Sequence, residues 1–220
     1  MQQSLHEKYR PHSFADVIGQ PKVLAAIDQC RQRGGLAGRG YWITGKPGTG
    51  KTTIARLIAA EVAGDPFNII DLGAADIGID DLRKLNRDLS FYGLGGTGGK
   101  ALIINDADEL SSVMLSALKA YLEAIPAHAV WCFTTTRVGQ ASLFEDAHAE
   151  TQIVGRCVEL PLTTQGLAEP MAKRAQQIAI AEGLDGRTFP EYLRFVKDRQ
   201  NDMRRIISGI ESGAMLRGDA

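Results

Sequence analysis

Cysteine is scarce in this sequence and scattered: Cys30, Cys132 and Cys157 lie far apart with no CxxC pair. That spacing excludes a zinc ribbon and a disulfide framework, and it leads to the expectation of a reduced, cytoplasmic setting. Long apolar runs are missing as well. No stretch approaches the roughly 20 residues that a membrane span needs, and the polar start Gln2-Gln3-Ser4-Leu5-His6-Glu7 is unlike a signal peptide. An excess of one charge is also absent, since 25 Lys and Arg against 26 Asp and Glu leave a formal net charge of −1. The chain is therefore no general coat for DNA, and any nucleic-acid contact has to come from a local basic patch. No internal repeat is present. Of the 220 residues, 44% are hydrophobic, enough for one domain or two small ones with a real core.

The most specific stretch is Tyr41-Trp42-Ile43-Thr44-Gly45-Lys46-Pro47-Gly48-Thr49-Gly50-Lys51-Thr52-Thr53. It fills every position of the phosphate-loop pattern, between an apolar strand (41–44) and a helix whose apolar residues over 53–62 recur at helical spacing. Glycines let the backbone from Gly45 through Pro47, Gly48, Thr49 and Gly50 turn its N–H groups inward around phosphates. The helix start adds its positive dipole end around Lys51, Thr52 and Thr53. Lys51 can reach the β and γ oxygens, and the Thr52 hydroxyl can bind Mg²⁺. ATP and Mg²⁺ are the expected cofactors.

Around this motif the pattern predicts a helix over 21–33 and a strand over 67–72, hence a parallel α/β sheet. A helix over 78–89 carries Leu82, Leu85 and Leu89 on one side and Arg83, Lys84 and Arg87 on another. Five glycines in the seven residues 93–99 predict a flexible loop. Buried strands are expected at 101–104 and 130–133, with a helix over 111–123 between them. Val138 to Val154 reads as a long loop in which Glu145, Asp146, His148 and Glu150 form a solvated acidic stretch and no metal site. After Leu162 the pattern turns helical over 164–182, 189–198 and 201–213.

Several of these segments resemble one family. Lys8-Tyr9-Arg10-Pro11, Phe14 and Asp16-Val17-Ile18-Gly19-Gln20 look like the N-terminal signature of clamp-loader ATPases in the AAA+ superfamily, the replication factor C small subunits and the bacterial gamma and delta-prime subunits. The resemblance implies that Tyr9, Arg10, Val17 and Ile18 line an adenine pocket. Asn105-Asp106-Ala107-Asp108-Glu109-Leu110-Ser111 aligns with the Walker B segment Asp-Glu-Ala-Asp-x-Leu-Ser/Thr. In that register Asn105 replaces the Asp that holds Mg²⁺ through water, and Asp106 replaces the Glu that polarises the attacking water. A shift by one would make Asp106 the metal-associated carboxylate and put Ala107 at the catalytic position. By either register the pair is altered and slow hydrolysis is expected, because a misplacement of about 1 Å can cost on the order of 100-fold in rate.

By the same resemblance Thr136 is the sensor 1 residue and Arg156, in Gly155-Arg156-Cys157, is an arginine finger acting on a neighbouring subunit. Arg204, in Asn201-Asp202-Met203-Arg204-Arg205, is the sensor 2 arginine, with Asn201 standing where the family has Gly. Arg83, Lys84 and Arg87 correspond to a helix facing duplex DNA; on their own they are equally a solvated helix face.

The implied fold is an AAA+ α/β sandwich over 1–160, followed by a three-helix lid over 161–220, without sequence for a helical collar. The implied work is ATP-dependent loading or remodelling of a DNA-associated partner such as a sliding clamp, in an oligomer of AAA+ subunits. Two alternatives stay open: an ATP-binding assembly switch with little hydrolysis, and a helicase or transposition loader or Holliday-junction motor.

Overall fold

A computed structural model describes residues 3–95, 98–137 and 151–217. Their packing divides into two compact units, one α/β and one helical. The acidic stretch Glu145, Asp146, His148 and Glu150 lies outside the described residues.

The α/β unit runs over Pro21–Gly45 and Lys51–Leu162. Its sheet has five strands: β1 (Arg39–Thr44), β2 (Ile69–Gly73), β3 (Lys100–Asn105), β4 (Ala129–Thr135) and β5 (Cys157–Pro161). They lie in the order β2-β3-β4-β1-β5, and every pair is parallel. The central strands are buried on both faces, which explains why 101–104 and 130–133 read as unbroken apolar runs. Among the described residues this unit contains the helices α2 (Pro21–Gln32), α3 (Lys51–Ala63), α4 (Ile79–Leu89) and α5 (Ser112–Glu123).

Local chemistry sets their starts. The Asp81 carboxylate accepts from the Gly78 N–H at 3.2 Å at the head of α4, and Ser111 Oγ accepts from the Met114 N–H at 3.4 Å at the head of α5. Leu82, Leu89, Leu118, Trp131 and Phe133 are wholly buried in the core between these helices and the sheet.

Several elements differ from the sequence expectation, among them residues 151–154, which are helical where a loop is expected. Phe67 is in a 3-10 turn ahead of β2, because Asp65 Oδ1 accepts from its N–H at 2.9 Å and Pro66 fixes the turn's first residue. The segment 93–99, expected to be flexible, is tied where it is described: the Gly93 N–H donates to the Gly98 carbonyl at 2.8 Å, and Asn68 bonds the Leu94 backbone through both its amide atoms. β5 has no strand signal of its own, being short, charged at Glu159 and ended by Pro161. It is an edge strand, formed because β1 offers it an open ladder.

The helical unit comprises the chain up to Gln20, Lys46–Gly50 and the chain from Thr163. It contains a short α1 (Leu5–Lys8), a 3-10 turn at Phe14–Asp16, and α6 (Ala168–Ala181), α7 (Phe189–Asp198) and α8 (Met203–Glu211). Tyr192, Val196, Ile206, Ile210, Ala172 and Ala175 form its buried centre. Leu5 packs against Ile178 and Ile207, and its N–H donates to Glu211 Oε1 at 3.1 Å. The arm, expected with the α/β domain, is thus grouped with the C-terminal helices. The change of unit falls at Leu162–Thr163.

Candidate nucleotide site

In the α/β unit the site is built at the carboxyl ends of the strands, where parallel α/β sheets place their ligands. β1 ends at Thr44 and α3 begins at Lys51. Lys51 Nζ donates to the Gly45 carbonyl at 2.9 Å, so its ammonium folds back over the first residue of the loop. One position on, Thr52 Oγ1 donates to Asn105 Oδ1 at 3.1 Å. The register of β3 on β4 puts Asn105 beside Thr134, whose Oγ1 also donates to Asn105 Oδ1 at 3.1 Å. Asn105 Nδ2 faces the other way and donates to Asp71 Oδ1 at 2.6 Å; Arg56 Nε donates to Asp71 Oδ2 at 2.7 Å.

Asp106 follows in the left-handed region, with φ 53° and ψ 49°, and is exposed. Its N–H donates to Thr134 Oγ1 at 3.4 Å. Asp108 accepts from Thr135 Oγ1 at 2.8 Å. The β4 hydroxyls that meet this segment are therefore those of Thr134 and Thr135. Thr136 lies beyond the end of β4 and is exposed. Sequence reasoning misses Thr134 and Thr135, because a run of threonines at a strand end reads only as β propensity. Their role follows from register, which such a run does not reveal.

The tip of the phosphate loop is described with the helical unit. Thr49 Oγ1 donates to the Lys46 carbonyl at 2.8 Å, Pro47 is exposed, and Gly48 and Gly50 hold φ of +71° and +97°. The Met203 N–H donates to the Gly48 carbonyl at 3.3 Å, which sets the loop tip at the start of α8, one residue before Arg204. Arg204 is exposed, and Asp202 caps α8 by accepting from the Arg205 N–H at 3.1 Å. Asn201 sits at φ +59°, a left-handed backbone that Asn adopts more readily than most residues.

In the same unit Ile18 lines a cavity of about 370 Å³ with Asp16, Gly19, Pro170, Lys173 and Arg174. Tyr9 lies under the Arg174 guanidinium, 5.7 Å from its ring, and donates to Glu182. Arg10 pairs with Glu7, and Val17 is half-buried.

Two further groups stand apart in the α/β unit. Arg156 follows the helical residues 151–154 and donates through Nη2 and Nε to Glu123 Oε1 at 2.5 and 2.9 Å. On α4, Arg83 pairs with Asp80 at 2.8 Å and Lys84 with Asp81 at 3.3 Å, while Arg87 is exposed.

The profile of the AAA family, described as "ATPase family associated with various cellular activities", matches residues 41–142. A replication factor C small subunit from Methanoregula boonei is 30% identical over 96% of this chain and 63% of its own length. That from Natronomonas pharaonis is 27% identical over 96% of this chain and 62% of its length. A DNA polymerase III subunit gamma/tau from Mycobacterium tuberculosis is 29% identical over 60% of this chain and 27% of its length. This chain is similar to AAA proteins of the clamp-loader type. It spans about three fifths of the length of the replication factor C relatives it matches. The solved Thermotoga maritima RuvB Holliday junction branch migration motor superposes with a TM-score of 0.63 at 20% identity, over 92% of this chain and 64% of that one, a likeness of fold alone.

Asn105 and Asp106 depart from the Walker B pattern Asp-Glu-Ala-Asp-x-Leu-Ser/Thr that the segment resembles. Asn105, at the end of β3, touches Thr52, so the side chain beside the phosphate-loop threonine is an amide. The oxygen donors gathered here, Thr52 Oγ1 and Asn105 Oδ1 with Asp71 behind, suit a hard cation such as Mg²⁺. Among the described residues no group of three or more His, Cys, Asp or Glu could hold a metal alone. The cysteines take no part. All three are free, and burial pushes the Cys157 thiol up to about 12 and that of Cys132 up as well, so both stay protonated and inert. Among the described residues no helix is long and apolar enough to cross a membrane.

Proposed function

We propose that this chain is the nucleotide-binding core of a clamp-loader-type ATPase, which binds ATP with Mg²⁺ to load or remodel a DNA-associated protein partner within an oligomer of AAA+ subunits. The observation that carries this reading is the constellation Lys51, Thr52, Asn105 and Thr134 at the carboxyl ends of β1, β3 and β4. Lys51 neutralises the β and γ oxygens and the N–H groups at the head of α3 receive the phosphates. Thr52 and Asn105 would hold Mg²⁺, which would supply positive charge against the phosphate oxygens. Tyr9, Arg10, Val17 and Ile18 take the adenine, a reading supported by the cavity that Ile18 lines.

Asp106 orients the attacking water. Arg204 and the threonines at the end of β4, Thr136 among them, respond to the γ-phosphate. Arg156 acts on the site of a neighbouring subunit, exchanging its exposed Glu123 for phosphate oxygens; such surface pairs are worth only about 0–1 kcal/mol, so the exchange costs little. The same holds for Arg83 and Lys84, which with Arg87 contact the DNA backbone.

A second reading is favoured by one observation: the Walker B side chain is neutral and the neighbouring acid is the short Asp106, exposed and in a left-handed conformation. On that reading the subunit binds ATP to assemble and barely turns it over. ATP turnover with and without primed DNA separates the two, measured beside Asp106→Asn and Arg156→Ala with nucleotide binding in parallel. Turnover on the order of 0.1 to 10 per second, abolished in both variants while ATP still binds, is expected of the ATPase. Tight binding with turnover equal to that of the variants identifies the switch.

A further inference from the structure

The side chains around the Walker B amide decide which way it faces. Asn105 Nδ2 donates to Asp71 Oδ1 at 2.6 Å and to the Leu72 carbonyl at 3.4 Å. An ionised carboxylate only accepts hydrogen bonds, so Asp71 keeps the donor end of the amide on its own side. The acceptor end is thereby turned toward Thr52 and Thr134, from both of which it accepts at 3.1 Å. Turned over, the amide would set two N–H donors against a hydroxyl that has to coordinate a cation.

The position of Asp71 is itself fixed. β2 pairs with β3 so that Gly73 opposes Asn105 and Asp71 opposes Ile103, which makes Asp71 and Asn105 diagonal neighbours on one face of the sheet. Arg56 holds the other Asp71 oxygen at 2.7 Å. Arg56 lies four residues after Thr52 on α3, so a single helix face carries both ends of the chain Thr52–Asn105–Asp71–Arg56.

We propose that Asp71 is a positioning residue for the Mg²⁺-nucleotide: from the neighbouring strand, and through Asn105, it supplies the orientation and negative charge that an aspartate at the Walker B position would give directly. This rests on the reading of the chain as a nucleotide binder, and the test keeps the two separate.

A fluorescent ADP analogue is titrated onto the full chain in Mg²⁺ and in EDTA, which reads the metal contribution without turnover. Saturable binding by the wild type in EDTA is the mark of the nucleotide reading, and its absence in both conditions removes that reading and this proposal together. Asp71→Asn is expected to keep the EDTA affinity within about twofold and to lower the gain from Mg²⁺ by about 10- to 100-fold, the range for outer-shell partners of a metal. The charge-moving pair Asp71→Asn with Asn105→Asp is expected to restore that gain. A purely structural Asp71 would instead lose affinity equally in both conditions, with a lower unfolding midpoint and no rescue by the pair. That outcome, or an Asp71→Asn variant with its full Mg²⁺ gain, overturns the proposal.

Discussion

At the scale of single residues the phosphate loop shows where backbone geometry limits sequence. Gly48 holds φ +71°, and a Cβ added there would come within 1.9 Å of Asp202 Oδ1 and 2.8 Å of the Asp202 Cα. A side chain at this position has both a left-handed backbone and a fixed neighbour to contend with. Gly48→Ala is therefore expected to lower stability by about 1–3 kcal/mol, read as a shift of the urea unfolding midpoint at unchanged slope. Asp106 shows the converse case, a non-glycine residue kept left-handed at the end of a strand. Its N–H reaches Thr134 Oγ1 there, which links the residue proposed to orient water to the neighbouring strand.

At the scale of elements, α4 is a helix with two separable faces. Leu82 and Leu89 fasten it to the core, and Asp81 closes its first turn, so the helix stands without help from its cations. Removing Arg83, Lys84 and Arg87 by substitution to Ala should then leave the fold in place. It should weaken binding to primed DNA uniformly across sequences, and lower the slope of log affinity against log salt by about 1 for each phosphate that is no longer neutralised. A triple variant with an unchanged slope makes these residues a solvated face and nothing more.

At the scale of the whole molecule, Arg156 and Lys51 are proposed to serve different copies of the site. Arg156→Ala and Lys51→Ala should each be inactive alone. Mixed, they should recover part of the turnover, because one class of interface then pairs an intact loop with an intact arginine. ATP turnover of the mixture against each variant alone checks this, and a mixture as inactive as its parts removes the role between subunits.

The sequence by itself determined the parts that depend on neighbours along the chain. The phosphate loop needs its glycines, lysine and threonine within a few residues. The central strands announce themselves as apolar runs because both their faces are buried, and α4 and α5 carry their own capping groups. What only the tertiary structure decided depends on pairing between distant segments. β5 exists because β1 has an edge to offer, and the arm is grouped with the C-terminal helices because Leu5 finds Ile178 and Ile207. Asn105 meets Thr52 across the site, and Thr134 joins it through strand register. Asp71 reaches that amide from β2 although 33 residues of chain lie between them. Such contacts leave no periodicity in the sequence, because hydrogen bonds across parallel strands join residues whose separation is set by the helix that connects them.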